Sequence, residues 1–476
     1  MASSSLQKQC ADLSAVNKSL AKENEELTRS ISELVQQTEE YKLTISQMQD
    51  ELSTLQSSTT SSVASSSSFC VVPLPVQKEP RTSSPLQPSP SAGSIFENYF
   101  VLGQAEPRVL YQYPTACAFN ASVLLTFVRP GLSKFCDTPT SKRARTTFVF
   151  TIKAQDRVAK CAFEAANAQK DELYCCCVVS AGNAGPQCTC LVSYFPCFEL
   201  HFEVLFKILT LTTGRIQPTD EALGLLQEYY ENCAFVEGQV SINLQSVPSI
   251  ELGIADTALI DCEWTCPTLF ALLPFDTLYA LLAAVMTECS VVFYGQNLEH
   301  VSSSVLALTG LMRPFKWQHL ICPVLPPELL DMLEAPVPFL VGTQTVPQEI
   351  LDYSTFIAVD LDQPIKTRRV QRLPKNLPEP CSKRVKEYLR FSYEQAQASD
   401  PEDRAFAVHR FVKDLRGWWY DLLDRLPITD GEVDAANLKF IKHACVEAAP
   451  PADAGFVRRL VDTQCFTCIV EHIYEN

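Results

Sequence analysis

What this 476-residue chain is short of narrows its function first. Positive charge is scarce: 39 Lys and Arg stand against 55 Asp and Glu, a formal net charge of −16. A bulk field of that sign disfavours a protein that coats nucleic acid. Long apolar runs are also missing. The longest stretch, Leu269 to Met286, contains Pro274 and Asp276 and is followed by Glu288, a poor membrane span. Met1 to Leu20 has no continuous apolar segment of the secretory kind. The 20 cysteines are therefore expected to be thiols in a reducing, cytoplasmic compartment rather than a disulfide framework.

Motifs that carry covalent chemistry are absent too. The sequence contains no GxxxxGK[ST] phosphate loop, GxGxxG turn, HExxH helix or GxSxG elbow. No catalytic residue can be nominated, no cofactor is expected, and the reading is not that of an enzyme. Cys175, Cys176, Cys177, Cys188 and Cys190 cluster, and Cys465 and Cys468 form a CxxC. A zinc site usually needs two paired ligand sets, and the CxxC lies in an apolar helical pattern without a second pair. No metal is expected, since free Cys commonly packs as a small hydrophobe.

What is present begins with a heptad repeat. Leu6, Leu13, Leu20, Leu27, Leu34, Tyr41, Met48 and Leu55 recur every seventh residue, with Asn17, Asn24 and Ile31 among the matching a positions. Residues 1–56 are expected to form a coiled coil roughly 75 Å long at 1.5 Å per residue. Asn at a favours a parallel two-stranded seam, so Leu13, Asn17, Leu20, Asn24, Leu27, Ile31 and Leu34 are the candidate homodimer contacts. Residues 57–93, rich in Ser and Pro, read as a flexible tether.

Globular sequence follows. Tyr99 to Leu102, Val109 to Tyr113, Val123 to Phe127 and Thr147 to Ile152 read as strands of a mixed sheet, the Cys-rich segments flank a loop at Ala181 to Pro186, and Phe198 to Leu211 reads as a helix. A first lobe is placed at 94–214 and a connector at 215–245. In 246–375 short buried strands, among them Ser290 to Tyr294 and Leu320 to Val324, alternate with helices that Asp276 and Asn297 can cap. That is an α/β layered lobe. Residues 376–476 are expected to be all helical. Lys366, Arg368, Arg369, Arg372 and their neighbours form a basic stretch that reverses the sign of the chain.

The order of short motifs in the middle lobe carries a resemblance. Leu269 to Pro274, Thr287-Glu288, Val291 to Tyr294, Arg313 to His319, Cys322 to Pro326, Leu333 to Gly342 and Val359 to Asp362 together resemble the core of a DENN domain. Phe96 to Gly103 with Val109 to Pro114, and Val192 to Leu209, resemble its upstream segment, and Arg458 to His472 the close of its downstream segment. The likeness covers 94–476. One departure stands out: the family often carries Arg after the Glu equivalent to Glu288, where this chain has Cys289 and Ser290.

The resemblance implies a longin-like lobe, an α/β DENN core lobe and a helical tail. The implied activity is guanine-nucleotide exchange on a Rab-family GTPase in vesicle trafficking, or in the alternative a non-catalytic DENN-fold scaffold binding GTPases or other longin proteins. Exchange shifts a binding equilibrium and needs no acid, base or nucleophile, consistent with the missing motifs. Asp360, Asp362 and Trp317 are the candidate GTPase contacts. The two carboxylates end an apolar strand, where they can face a partner or cap their own loop, and Trp317 has a packing role open to it as well. Arg368, Arg369 and Arg372 are candidates for an anionic membrane or partner surface, with recruitment to endomembranes as the expected setting.

Overall fold

In the computed structural model the described residues are 94–103, 108–115, 121–138, 145–153, 172–183, 185–231, 233–236, 239–242, 250–252, 259–364, 370–375, 377–398, 400–427 and 435–475. The heptad residues Leu13, Asn17, Leu20, Asn24, Leu27, Ile31 and Leu34, the Ser/Pro-rich segment 57–93, and Arg368 and Arg369 lie outside them. All the described residues belong to one compact unit of the chain, Pro85–Asn476.

Five antiparallel strands open it: β1 (Asn98–Gly103), β2 (Arg108–Tyr113), β3 (Thr146–Lys153), β4 (Glu172–Gly182) and β5 (Gly185–Ser193), in the order β2-β1-β5-β4-β3. Both faces of this sheet are covered. Helix α1 (Ser122–Asp137) packs on the face carrying Phe100, Phe148, Phe150, Cys175, Cys177, Cys188 and Cys190. Helices α2 (Phe198–Thr212) and α3 (Asp220–Glu231) cover the face carrying Tyr99, Val149, Cys176 and Leu191. Double coverage explains why these strands read as nearly continuous apolar runs rather than as alternating ones. Helix α3 falls in the segment read as connector, yet Leu225, Leu226, Tyr229 and Tyr230 are buried in the first lobe's core.

Two expectations fail here: the sheet is antiparallel throughout rather than mixed, and one of its expected strands is a helix. Val123 to Phe127 is helical, the start of α1. Its five residues suit a strand locally, but Leu124, Val128, Leu132 and Phe135 form a buried stripe at helical spacing over the whole element, and that longer period wins.

After a short antiparallel ladder, β6 (Cys233–Val236), β7 (Gln239–Ile242) and β8 (Ile250–Leu252), the second lobe begins. Helices α4 (Thr265–Leu272) and α5 (Phe275–Met286) precede β9 (Val291–Tyr294), α6 (Leu298–Leu311), β10 (Leu320–Leu325), β11 (Phe339–Thr343), α7 (Gln348–Tyr353), β12 (Ile357–Asp360) and β13 (Val370–Gln371). The sheet order is β10-β11-β9-β12-β13. The first four strands are parallel, and β13 joins antiparallel to β12. Asn297 caps α6, its Oδ1 accepting from the Glu299 amide at 3.0 Å. Asp276 does not cap α5, whose N-cap position is Pro274; its carboxylate instead meets the Arg390 guanidinium at 2.6 and 2.8 Å. Among the described residues no single helix is long and apolar enough to cross a membrane, and the apolar stretch around Pro274 is α4 and α5, bent by 119°.

Gly342 in β11 is required by close packing. A Cβ there would stand 2.2 Å from the Pro323 carbonyl oxygen and 2.5 Å from Val301 Cγ1. The tail is helical as expected: α8 (Lys383–Ala398), α9 (Pro401–Asp424), α10 (Ala435–Ala448), α11 (Ala454–Leu460) and α12 (Gln464–Glu475). It shares one core with the second lobe, in which Phe270, Tyr393, Phe411, Trp419 and Phe456 are buried together.

Candidate functional site at the junction of the two lobes

The first sheet ends in β3, an edge strand that would otherwise offer its free backbone groups to another chain. Helix α6 covers that edge. Ser302, Ser303 and Ser304 are buried, and their small side chains allow close approach. Ser302 Oγ accepts the Val149 amide at 3.2 Å, Thr147 Oγ1 donates to Glu299 Oε2 at 2.8 Å, and Thr151 Oγ1 donates to the Ile321 carbonyl at 3.4 Å. Two lobes that look separate in sequence are joined along one strand.

The second contact brings α1 over the carboxyl ends of the parallel strands, the end of an α/β sheet where ligands usually bind. Arg129 pairs with Glu328 at 2.6 Å, and the Lys134 ammonium donates to the Gln296 carbonyl in the loop after β9. Burial holds Lys134 below the ordinary lysine value, with the nearby Asp362 charge pulling the other way. Asp362 is the one of the two candidate carboxylates whose charge reaches it. Asp360, at the end of β12, accepts the Asp362 amide at 3.0 Å and Gln363 Nε2 at 3.1 Å. Exposed Asp362 accepts the Gln296 amide at 3.0 Å through both oxygens. Gly295 permits this, since a Cβ there would meet Asp362 Oδ1 at 3.1 Å. The two acids therefore brace the loops after β9 and β12, at a rim formed with Lys134 of the first lobe.

Trp317 lies elsewhere, at the opposite end of the junction. It is buried, and its Nε1 donates to the Leu320 carbonyl at 3.2 Å. It lines a half-open cavity of about 40 Å³ between the lobes, walled by Tyr174, Pro196 and Phe198 on one side and by Leu306, Thr309, Arg313, Phe315 and Lys316 on the other. Arg372 is remote from both ends. Its guanidinium donates to the carbonyls of Leu351 at 2.5 Å, Asp352 at 2.6 Å and Ser354, so it closes the last turn of α7.

Asp261, which sequence reasoning did not single out, and Glu288, known there only as part of a motif, hold this arrangement. Asp261 sits between Arg313 Nε at 2.8 Å and Arg416 Nη2 at 3.1 Å. Burial pushes its carboxyl up, but the Arg313 and Arg416 charges outweigh that and leave it below the ordinary aspartate value. Arg416 also donates to the Gly310 carbonyl at 2.8 Å, tying α9 of the tail to the end of α6. Glu288, at φ 55°, caps α12: its Oε1 accepts the Gln464 amide at 2.8 Å and the Cys465 amide at 3.0 Å, and stands 3.2 Å from His319 Nε2. Most of these partners are 100 or more residues apart in sequence, so no local motif announces them.

Of the cysteines, Cys175, Cys177, Cys188 and Cys190 share one face of the β4–β5 hairpin, where Cys177 is directly opposite Cys190. Burial pushes the Cys175 and Cys177 thiols well above the ordinary value, with hydrogen bonds to Cys190 adding to it. Among the described residues no group of three or more His, Cys, Asp or Glu side chains is arranged to hold a metal ion.

The second-lobe side of the junction falls inside a segment with relatives. Residues 184–364, from β5 through β12 and the Asp360–Asp362 rim, match the DENN (AEX-3) domain family. It is similar to DENN domain-containing protein 1B of Mus musculus, 26% identical over 242 residues, or 50% of this chain and 29% of that one. It is also similar to DENN domain-containing protein 1A of Homo sapiens, 26% identical over 246 residues, or 50% and 22%. DENN domain-containing protein 2A of Mus musculus is 29% identical over 170 residues, or 34% and 16%. The chain thus spans less than a third of the length of each of these relatives.

Proposed function

We propose that the chain is a guanine-nucleotide exchange factor for a Rab-family GTPase, with the first lobe acting as a longin-like partner of the DENN core. The match of 184–364 to the DENN family carries this reading. The geometry supports it: two lobes joined through β3, α1 and α6 present a composite rim, and the work required is the displacement of switch loops rather than bond making. By linkage, a protein that weakens nucleotide binding must bind the nucleotide-free GTPase more tightly than the loaded one. A tenfold bias corresponds to about 1.4 kcal/mol, and useful acceleration needs several times that.

In this reading the heptad segment makes the protein a parallel homodimer, and the basic stretch containing Arg368 and Arg369 supplies a peripheral contact with an anionic endomembrane surface from the cytoplasmic side. The test is release of labelled GDP from a panel of Rab GTPases by the full chain. Acceleration of at least one member, with preferential binding of its nucleotide-free form, is expected. Equal binding of both nucleotide states across the panel, with no acceleration, would leave a scaffold in place of an exchange factor.

A further inference from the structure

The half-open cavity that contains Trp317 has an unusual charge balance. Its second-lobe wall carries Arg313 and Lys316, three residues apart on the turn after α6. Asp261 is the acid on its lining, and that carboxylate is shared between Arg313 and Arg416. Among the described residues no carboxylate pairs with the Lys316 ammonium, and Lys316 is an exposed residue. Partial burial, and after it the Arg313 charge, hold that ammonium below the ordinary lysine value. On the cavity lining two cations therefore face one carboxylate, a positive excess of one.

The remaining walls limit what can enter. Phe198, Phe315 and Trp317 are buried aromatics that lower the local dielectric and strengthen the pull of the cations on an anion. Tyr174 reaches in from the first lobe. A single water needs about 10–15 Å³, so a volume of about 40 Å³ has room for a group of a few atoms. A small oxyanion matches both the size and the sign of the charge.

We propose that this cavity binds a phosphate-class oxyanion, held by Lys316 and Arg313 of the second lobe against the Tyr174, Pro196 and Phe198 wall of the first, so that occupancy clamps the two lobes. Free orthophosphate and a phosphoryl group carried on another molecule share this chemistry. The site is separate from the Asp360–Asp362 rim, and it stands or falls independently of exchange activity.

Calorimetric titration of the full chain with sodium phosphate, at ionic strength matched with sodium chloride, tests it. Saturable binding to one site per chain is expected, accompanied by a rise in melting temperature that sodium chloride does not reproduce. Lys316→Glu, a change at an exposed position, is expected to weaken binding at least tenfold while leaving the phosphate-free melt unchanged, and Lys316→Arg to restore it. Phosphoserine in competition separates the sources: displacement of phosphate marks a site open to attached phosphoryl groups, and failure to displace it marks a site for the free ion. Should phosphate produce a non-saturating stabilisation of the same size in wild type and Lys316→Glu, the effect is a general salt effect and the site does not exist. Absence of any heat or melting shift with phosphate overturns the proposal equally.

Discussion

Asp261→Asn removes a negative charge from between two guanidinium groups and keeps the shape of the side chain. Its neighbours are nearly dry: side-chain exposure is 10% for Asp261, 8% for Arg416 and 22% for Arg313. Breaking a buried pair by removing one partner costs about 3–5 kcal/mol, because the charge left behind is neither hydrated nor compensated. Two cations lose their shared partner here, so a loss near the upper end of that range is expected. Arg416→Met should cost less, since it removes one of the stranded charges and leaves Asp261 paired with Arg313, although the Gly310 carbonyl loses its donor. The double variant should be more stable than the sum of the singles by about 1–3 kcal/mol. Urea unfolding followed by tryptophan fluorescence reads the change where it happens, because Trp418 and Trp419 lie on the helix of Arg416 and Trp317 on the adjoining cavity. The pH dependence has a defined sign. The folded carboxyl lies below its ordinary value, so its contribution is present above that value and is lost as pH falls through the folded one. A loss under about 1 kcal/mol for Asp261→Asn, or simple additivity in the double variant, would refute the claim that this ion triad holds the tail to the second lobe.

Single residues elsewhere carry further expectations. His201 is fully buried, with Nε2 3.1 Å from the Phe195 carbonyl and Nδ1 2.7 Å from the Tyr229 hydroxyl, and burial lowers it to about 4. Stability should therefore fall as pH drops from about 6.5 towards 4, by about 1.4 kcal/mol per unit. The difference between wild type and His201→Phe isolates this slope from that of buried Glu172, which burial raises to about 7 and which acts with the opposite sign; an unchanged slope in the variant would assign the dependence to other groups. Gly342→Ala should cost at least about 3 kcal/mol or prevent folding, whereas Gly417→Ala, with open space around its Cα on α9, should gain about 0.5–1 kcal/mol; comparable melts for the two would discredit the close approach at Pro323. The Asp360→Lys, Asp362→Lys variant is expected to lose the loop bonds at Gln296 and Gln363, to melt earlier, and to slow GDP release at least tenfold. A folded variant exchanging at the wild-type rate would restrict these carboxylates to bracing the rim.

The layout of the second lobe was legible because its signals are local. Short apolar strands at 291–294, 320–325 and 339–343 stand between turn residues, and Asn297 caps α6 through its own side chain. The site was only half legible. Asp360 and Asp362 could be placed at a strand end from the apolar run before them, but not the bond from Asp362 to Gln296, which follows a different strand 66 residues away. Trp317, a candidate partner contact like the two acids, lies at the other end of the junction, because helix α6 and the turn after it carry it to the amino end of β10. Asp276 and Val123 to Phe127 misled for the same reason in two forms. A residue that can cap and a run that can be a strand were read locally, while Arg390, from the tail, claimed the first and a sixteen-residue helical stripe absorbed the second.

The four thiols on the inner face of the β4–β5 hairpin have a practical consequence. Cys175, Cys177, Cys188 and Cys190 each have no measurable exposure, and they lie under α1, the helix that also reaches across to the second lobe through Arg129 and Lys134. An alkylating reagent can reach them only after α1 has lifted, so their labelling rate is a clock for the opening of the first lobe. Cys136 and Cys468, partly exposed, would react at once and serve as the zero of that clock. If a GTPase or a small anion holds the two lobes together, the clock runs slower in its presence.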